Sequence, residues 1–277
     1  PAALAAALDG ARGLVLTGAG MSTASGIPDD RGRGSRPRAP IQHADFVRSP
    51  EVRRRYWARS LVGWPRIARA RPCAAHHALV RLERAGVVHR LITQNVDGLH
   101  QQAGSTDVID LHGRLADVRC LGCGAVTSRA ALQTRLAAEN PELARASAQA
   151  APDGDAELAP DAIERFRVVD CEACGGALKP DVVFFGGSVP PERVQTCYAA
   201  LEEASALLVL GSSLTVFSGY RFVLRAVQRG LPVHVINRGP TRGDEYAAIK
   251  LDLDLGFALD DLASALSSSC NPVARAT

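Results

Sequence analysis

The chain has 277 residues and a mass of 29.2 kDa, with 47% hydrophobic and 22% charged residues. That balance excludes a disordered or fibrous chain and suits one large domain with a smaller attachment. Thirty-two basic against 29 acidic residues leave a net charge of +3, too mild to imply nucleic acid, and no apolar run approaches the ~20 residues of a membrane-spanning helix.

The first residues, PAALAAALDGARG, lack a basic n-region and a long apolar core, so a signal peptide is not expected and a cytoplasmic location is. Leu14-Val15-Leu16 reads as a short buried strand running into the turn Thr17-Gly18-Ala19-Gly20. Helical patterns follow over 51–62 and 73–85. A second strand, 87–92, runs into Thr93-Gln94-Asn95-Val96-Asp97, and His112 lies a little further on in Asp110-Leu111-His112-Gly113. Cys120-x-x-Cys123 and Cys171-x-x-Cys174 bracket a segment, 134–170, rich in Ala, Pro, Asp and Glu, which reads as an insertion, part helix and part loop. Helices over 192–204 and 219–229 alternate with strands 206–210, running into Gly211-Ser212-Ser213, and 233–236, running into Asn237-Arg238-Gly239. Continuous apolar strands followed by small or polar residues describe a parallel sheet buried on both faces, whose ligands lie at the carboxyl ends of its strands.

The two Cys pairs are each followed by glycine (Gly124, Gly175). Four thiolates hold Zn²⁺ tetrahedrally with no open position, a structural site; a redox dithiol or four unrelated thiols are the alternatives. Cys73, Cys197 and Cys270 have no partner in the pattern, and the odd count of seven fits metal binding in a reducing compartment better than a disulfide framework. Gly18-x-Gly20 does not complete G-x-G-x-x-G, because Thr23 holds the last position, and no strand ending in Asp or Glu follows at the spacing of a ribose ligand. An ordinary nicotinamide dehydrogenase is thereby disfavoured; a tight structural turn and a pyrophosphate cradle both remain open. His112 reads either as a satisfied histidine or, beside Gln94, Asn95 and Asp97, as a general base toward sugar hydroxyls.

In order along the chain, GAGMSTASGIPDDRG (18–32), TQNVDGLH (93–100), LHG (111–113), the paired Cys motifs, KPDVVFFG (179–186), GSSLTVFSGY (211–220) and INRGPTRGD (236–244) resemble the signature segments of the sirtuins. The resemblance spans roughly 14 to 257. It is strongest to the class II branch, the mitochondrial sirtuin 4 type and its bacterial relatives, through RRRYWARSLVGW (53–64), KPDVVFFG and GPTRGD. It implies an α/β fold: a Rossmann-like parallel sheet from 1–32, 76–112 and 181–277, with an inserted small domain made of a helical insertion, 33–75, and a four-cysteine zinc module, 113–180.

The implied activity is NAD-dependent protein-lysine deacylation, a transfer of the acyl group to ADP-ribose that releases nicotinamide, free lysine and O-acyl-ADP-ribose. His112 would deprotonate a ribose hydroxyl, and Asn95 would act with it. Gly18, Ala19, Gly20, Ser22, Asp29 and Arg31 would form the cofactor-binding loop, and Gln94, Asn95, Val96 and Asp97 would line the nicotinamide-ribose pocket. Gly211, Ser212 and Ser213 would meet phosphate and ribose; Asn237, Arg238, Gly239 and Leu255 would hold the adenosine end. Cys120, Cys123, Cys171 and Cys174 would bind one structural zinc. Carbonyl oxygen is a poor nucleophile, so alignment against the anomeric carbon, worth ~7–11 kcal/mol in favourable cases, carries much of the reaction. Val183, Phe184 and Gly186 on one side and Leu214 on the other would edge the groove for an acylated-lysine peptide.

Three departures stand out: Asp30 in place of an aromatic, a short segment over 31–42, and Gly187 in place of an acidic residue. Tyr56-x-x-Arg59 resembles the pair with which another sirtuin branch binds carboxylated acyl groups, while Arg53, Arg54 and Arg55 beside it suit a solvated basic face. Mono-ADP-ribosyl transfer and a catalytically weak NAD-binding sensor are the rival functions. A nucleic-acid-binding zinc ribbon is disfavoured by the flanks RCLGCGAV and DCEACGGA, which have few basic or aromatic residues. No nucleic-acid or membrane partner is expected.

Overall fold

The computed structural model describes residues 1–29, 40–146, 150–151, 155–156 and 158–269. Helix α1 (Ala2–Leu8) leads into β1 (Gly13–Thr17); α2 (His43–Arg48), α3 (Pro50–Arg69) and α4 (Ala74–Arg84) precede β2 (Val88–Thr93), α5 (Leu99–Ala103) and β3 (Val108–Asp110). Next come β4 (Gly113–Cys120), β5 (Val126–Ser128), α6 (Arg129–Glu139), α7 (Pro141–Ala144), the strand pair β6 (Ala150–Ala151) and β7 (Asp155–Ala156), α8 (Pro160–Glu164) and β8 (Leu178–Val182). The chain closes with α9 (Pro191–Glu202), β9 (Ala206–Leu210), α10 (Phe217–Gln228), β10 (Val233–Ile236), β11 (Ala247–Leu251) and α11 (Leu255–Ser269).

Six strands form a parallel sheet in the order β11-β10-β9-β1-β2-β3. All five residues of β1 are buried, and successive side chains alternate between two cores. Val15 faces Leu4, Leu79, Leu82, Leu208 and Leu259 from α1, α4, β9 and α11. Leu14 and Leu16 face Cys197, Leu201, Phe222 and Val223 from α9 and α10. A strand covered on both sides has no use for a polar residue until its end, which is where Thr17 and Thr93 stand in register. The strand order reverses between β1 and β9, where Thr17 pairs Leu210, and the crevice of such a sheet opens at that point.

A second sheet, β5-β4-β8, is antiparallel. With α2, α3 and α6 it encloses a third core of Phe46, Trp57, Leu61, Val118, Leu132 and Leu178. The Trp57 indole donates to the Leu178 carbonyl at 3.1 Å, tying α3 to β8. Helix α3 starts on Ser49, whose hydroxyl accepts from Val52 N–H at 3.2 Å, with Pro50 at its first position. The sequence pattern ends this helix at 62, yet it continues through Pro65 to Arg69. Proline leaves the carbonyl four residues earlier, Leu61, without its helical donor, and the Gln133 side chain of α6 supplies one at 2.8 Å. A residue of another element thus carries the helix past its breaker. Among the described residues, the insertion over 134–170 holds the end of α6, α7, α8 and the short β6–β7 pair. Strands β3 and β11 are edge strands, only partly buried, and so lack the continuous apolar run that marks the other strands of the parallel sheet. No helix among the described residues is long and apolar enough to cross a membrane.

Two fully buried histidines lie behind the ends of β1 and β2. His76 and His100 stack with ring centroids 4.8 Å apart. His76 Nδ1 accepts from Cys73 N–H at 3.3 Å, and His100 Nε2 meets Thr17 Oγ1 at 3.1 Å. Burial pushes the two pKa values down to about 4 for His76 and about 3 for His100. In the unfolded chain both return to about 6.5, so between pH 6.5 and 4 the unfolded state binds more protons and stability rises with pH. Their contribution is complete above pH 6.5 and is lost as pH falls. Thermal unfolding followed by circular dichroism is therefore expected to show a midpoint that falls steeply as pH drops below 6.5. About 2–3 kcal/mol per histidine is lost by pH 4.5, and His76→Gln with His100→Gln flattens that slope.

Candidate active site and thiol cluster

The turn after β1 lies backbone to backbone against the turn after β9. A Cβ on Gly18 would come within 2.7 Å of Ser212 Cβ, and one on Gly20 within 2.9 Å of Gly211 Cα. Glycine is needed for that approach. Gly20 N–H donates to the Gly211 carbonyl at 2.9 Å, and Gly18 N–H to Leu210 at 3.0 Å. Among the described residues the backbone N–H groups of Ala19, Ser212 and Ser213 meet no acceptor, which fits a pyrophosphate at this junction. Leu255, at the start of α11, packs its Cδ1 against Gly211.

The residues after β2 reach across the same junction. Gln94 donates its side-chain amide to Ser212 Oγ at 2.9 Å and to the Thr17 carbonyl at 3.2 Å. Asn95 Nδ2 donates to the Gly18 carbonyl at 3.0 Å and to Ser22 Oγ at 3.1 Å. Ser22 in turn donates to Asp97 Oδ2 at 2.7 Å, and Leu99 N–H to Asp97 Oδ1 at 2.9 Å. Burial raises the pKa of Asp97 against those two hydrogen bonds. The Val96 carbonyl accepts from Leu115 N–H at 2.8 Å, which joins this loop to β4.

His112 is held at both ring nitrogens. Nδ1 lies 2.8 Å from the Gln94 carbonyl and Nε2 lies 2.7 Å from Ser218 Oγ. Because a carbonyl only accepts, Nδ1 carries the proton and Nε2 is bare in the neutral ring. Burial lowers the His112 pKa, which favours that neutral, basic form. The His112 carbonyl also accepts from Val183 N–H at 2.8 Å, so the segment after β8 is fixed to the base by its backbone. Phe184 then turns inward to join Phe46 and Tyr56, with ring centroids 5.2 and 5.4 Å away. Gly186 lies beside the bridge between Gln42 and Phe185. On the facing loop, Leu214 is buried in a left-handed conformation, φ 57°, and its N–H donates to Ser212 Oγ at 3.2 Å.

At the far end of the crevice, Asn237 Nδ2 donates to the carbonyls of Arg238 and Gly239, at 3.0 and 3.2 Å. Arg238 pairs with Asp254 at 3.1 Å. The Tyr56-Arg59 pair divides: Tyr56 enters the aromatic cluster, whereas Arg59 Nε donates to the Ala156 carbonyl of β7 at 2.8 Å. Asp29 is the last described residue of its loop. Asp30, Arg31, most of the 31–42 segment, Pro152-Asp153-Gly154 and Cys270 lie outside the described residues. Sequence reasoning did not single out Ser218, Thr17 or Thr93. Nor did it find Lys179, a buried amine over the Phe184 ring whose pKa burial pushes down to about 8.

Cys120, Cys123, Cys171 and Cys174 place all four Sγ atoms within 4.8 Å of one another. Cys120 and Cys174 are 3.5 Å apart and Cys123 and Cys171 3.8 Å, close to the ~3.8 Å edge of a tetrahedron with Zn–S bonds of ~2.3 Å. The N–H groups of Cys123 and Gly122 aim at Cys120 Sγ and push its pKa down to about 6, toward the thiolate a cation takes. The donor set suits one structural zinc, closed by four protein ligands.

This fold and site define a protein of the Sir2 family: the family's sequence profile matches residues 18–218, and the chain belongs to it. It is 51% identical over 265 residues to NAD-dependent protein deacetylase 1 of Streptomyces coelicolor, covering 95% of this chain and 89% of that one. It is 50% identical over 251 residues to the mitochondrial NAD-dependent protein lipoamidase sirtuin-4 of Bos taurus, covering 89% and 80%. A solved complex of Sir2 with a p53 peptide and NAD+ superposes with a TM-score of 0.75 at 27% identity, covering 97% of this chain and 98% of that one.

The purified protein is expected to carry about one zinc per chain by plasma mass spectrometry. Stripping it with a chelator, or replacing Cys171→Ser, is expected to lower the unfolding midpoint and to free the remaining thiols to a thiol reagent.

Proposed function

We propose that the chain is an NAD-dependent protein-lysine deacylase. The observation that carries the reading is the convergence of His112, Asn95, Ser22 and Asp97 on the backbone junction between the turns after β1 and β9. When bound, NAD supplies a glycosidic bond to nicotinamide whose breaking leaves an electrophilic sugar carbon. Everything else falls to the chain.

The N–H groups of Ala19, Ser212 and Ser213 hold the pyrophosphate, and the turn at Asn237 to Gly239 holds the adenosine end. Asn95 and the Ser22–Asp97 pair line the nicotinamide-ribose side. Asp97, whose pKa desolvation raises, accepts from Ser22 and from Leu99 N–H, and its carboxylate would face positive charge developing on the ribose side. His112, neutral with Nδ1–H fixed on Gln94, accepts the proton of a ribose hydroxyl at its Nε2 side.

The substrate peptide lies along Val183 to Gly186 on one edge and Leu214 on the other, and the acyl-lysine stem runs toward Phe46, Tyr56 and Phe184. With Arg59 Nε engaged at Ala156, selection among acyl groups rests on the aromatic wall. The cytoplasm is the compartment we propose, because a cluster of four thiols persists where thiols stay reduced.

In an assay with NAD and a panel of acetyl-, lipoyl- and glutaryl-lysine peptides, the wild type is expected to form O-acyl-ADP-ribose. His112→Ala is expected to lose about 100-fold or more in kcat; equal product from both proteins contradicts the reading. Arg59→Ala is expected to leave the ratio of acetyl to glutaryl turnover unchanged, since Arg59 Nε anchors β7 through Ala156; a selective loss of glutaryl turnover would assign the guanidinium to the acyl pocket instead.

A further inference from the structure

The group bonded to the base's reactive nitrogen is a side chain of the same protein. Ser218, in the first turn of α10, has its Oγ 2.7 Å from His112 Nε2. The direction of that bond follows from the other side of the ring. Nδ1 donates to the Gln94 carbonyl, so Nε2 has a lone pair and no proton, and the Ser218 hydroxyl is the donor. A hydroxyl that has committed its proton keeps two acceptor sites. What Ser218 can take from the crevice is therefore another donor, such as a sugar hydroxyl.

The first turn of α10 is built to bring the serine there. A Cβ on Gly219 would lie 2.4 Å from Gln94 Oε1 and 2.7 Å from its Cδ. The helix backbone thus rests directly on the residue whose carbonyl fixes Nδ1. Gln94 and Ser218 orient the imidazole from both ends, and each is set by the same contact. The charged group acting on the ring is Arg193 of α9, which donates to the neighbouring Leu111 carbonyl at 3.3 Å and opposes a second proton on the ring. Ser218 is half-buried, so it is open to a ligand while it holds the histidine.

We propose that Ser218 is a proton relay, a catalytic residue that passes the proton of the reacting ribose hydroxyl to Nε2 of His112. The proposal rests on the deacylase reading above. The ribose O–H bond breaks as its proton bonds to Ser218 Oγ, and the ribose oxygen keeps the electron pair to bond the acyl carbon. The serine's own O–H bond breaks as that proton bonds to Nε2. Serine ends neutral, and the imidazolium keeps its Nδ1–H on the Gln94 carbonyl.

The test has a part without nucleotide and a part with it. In the ligand-free protein, ¹⁵N spectra of the histidine rings are expected to show His112 protonated at Nδ1 and titrating below an ordinary histidine. Ser218→Ala removes the donor to the neutral ring and is expected to move that midpoint upward, while Ser218→Thr keeps it in place. With NAD and acyl peptide, Ser218→Ala is expected to lose about 10–100-fold in kcat for O-acyl-ADP-ribose with little change in KM for NAD, and Ser218→Thr to recover most of it. A proton inventory in mixed light and heavy water is expected to be bowed in the wild type, two protons moving together, and linear in Ser218→Ala. An unchanged midpoint and kcat in Ser218→Ala, with the wild type active and His112→Ala inactive, overturns the relay and leaves the deacylase reading standing. Absence of product from the wild type removes both. Should Ser218→Ala fail to fold, a linear inventory in the wild type overturns the relay by itself.

Discussion

The site depends on two turns packed so closely that Gly18 and Gly20 have no room for a side chain. Gly18 and Gly20 lie against Gly211 and Ser212 at distances that exclude a Cβ, and parallel pairing of β1 with β9, Thr17 opposite Leu210, sets their register. Close backbone approach leaves peptide N–H groups without internal acceptors at the point where the sheet changes direction. It also brings the loop after β2 within reach of both turns through Gln94 and Asn95. If Gly18 or Gly20 carried a side chain, the phosphate cradle and the hydrogen bonds that hold Gln94 would separate together.

From that junction the electrostatics follow. Asp97 and His112 are both half-buried, and desolvation pushes each toward its neutral form. A carboxyl held as acceptor by Ser22 and Leu99 N–H, and a base with a fixed tautomer, suit chemistry in which charge moves as the reaction proceeds. The same sheet keeps His76 and His100 unprotonated in the dry core behind the site, so acid threatens the scaffold beneath the crevice as well as the base within it. The thiol cluster stands apart from these events. It pins β4 to the segment preceding β8, and β8 leads directly to Val183, whose N–H bonds the His112 backbone.

Much of this was legible in the order of residues, for identifiable reasons. The strands of the sheet centre are continuous apolar runs because both faces are covered, and each ends in small or polar residues because the crevice lies there. The Cys pairs are legible because two x-x spacings with glycine after each leave few other uses. Pattern failed where a distant residue overrode a local rule. Pro65 reads as a helix end, yet Gln133 caps the carbonyl it orphans. Tyr56 and Arg59 stand one turn apart on α3, and no local spacing announces that Arg59 Nε donates to the Ala156 carbonyl of β7. Ser218 was hidden because a serine in a helix's first turn is ordinary; only the fold brings it to a histidine 106 residues away in sequence.

The most direct measurement is a crystal structure of the chain with NAD and an acetyl-lysine peptide bound. The pyrophosphate is predicted to lie on the N–H groups of Ala19 and Ser213, with the nicotinamide ribose beside Asn95 and a ribose hydroxyl hydrogen-bonded to the Ser218–His112 pair. A nucleotide bound away from the junction of the two turns, or a ribose turned from His112 with the acyl-lysine in place, would contradict the site described above.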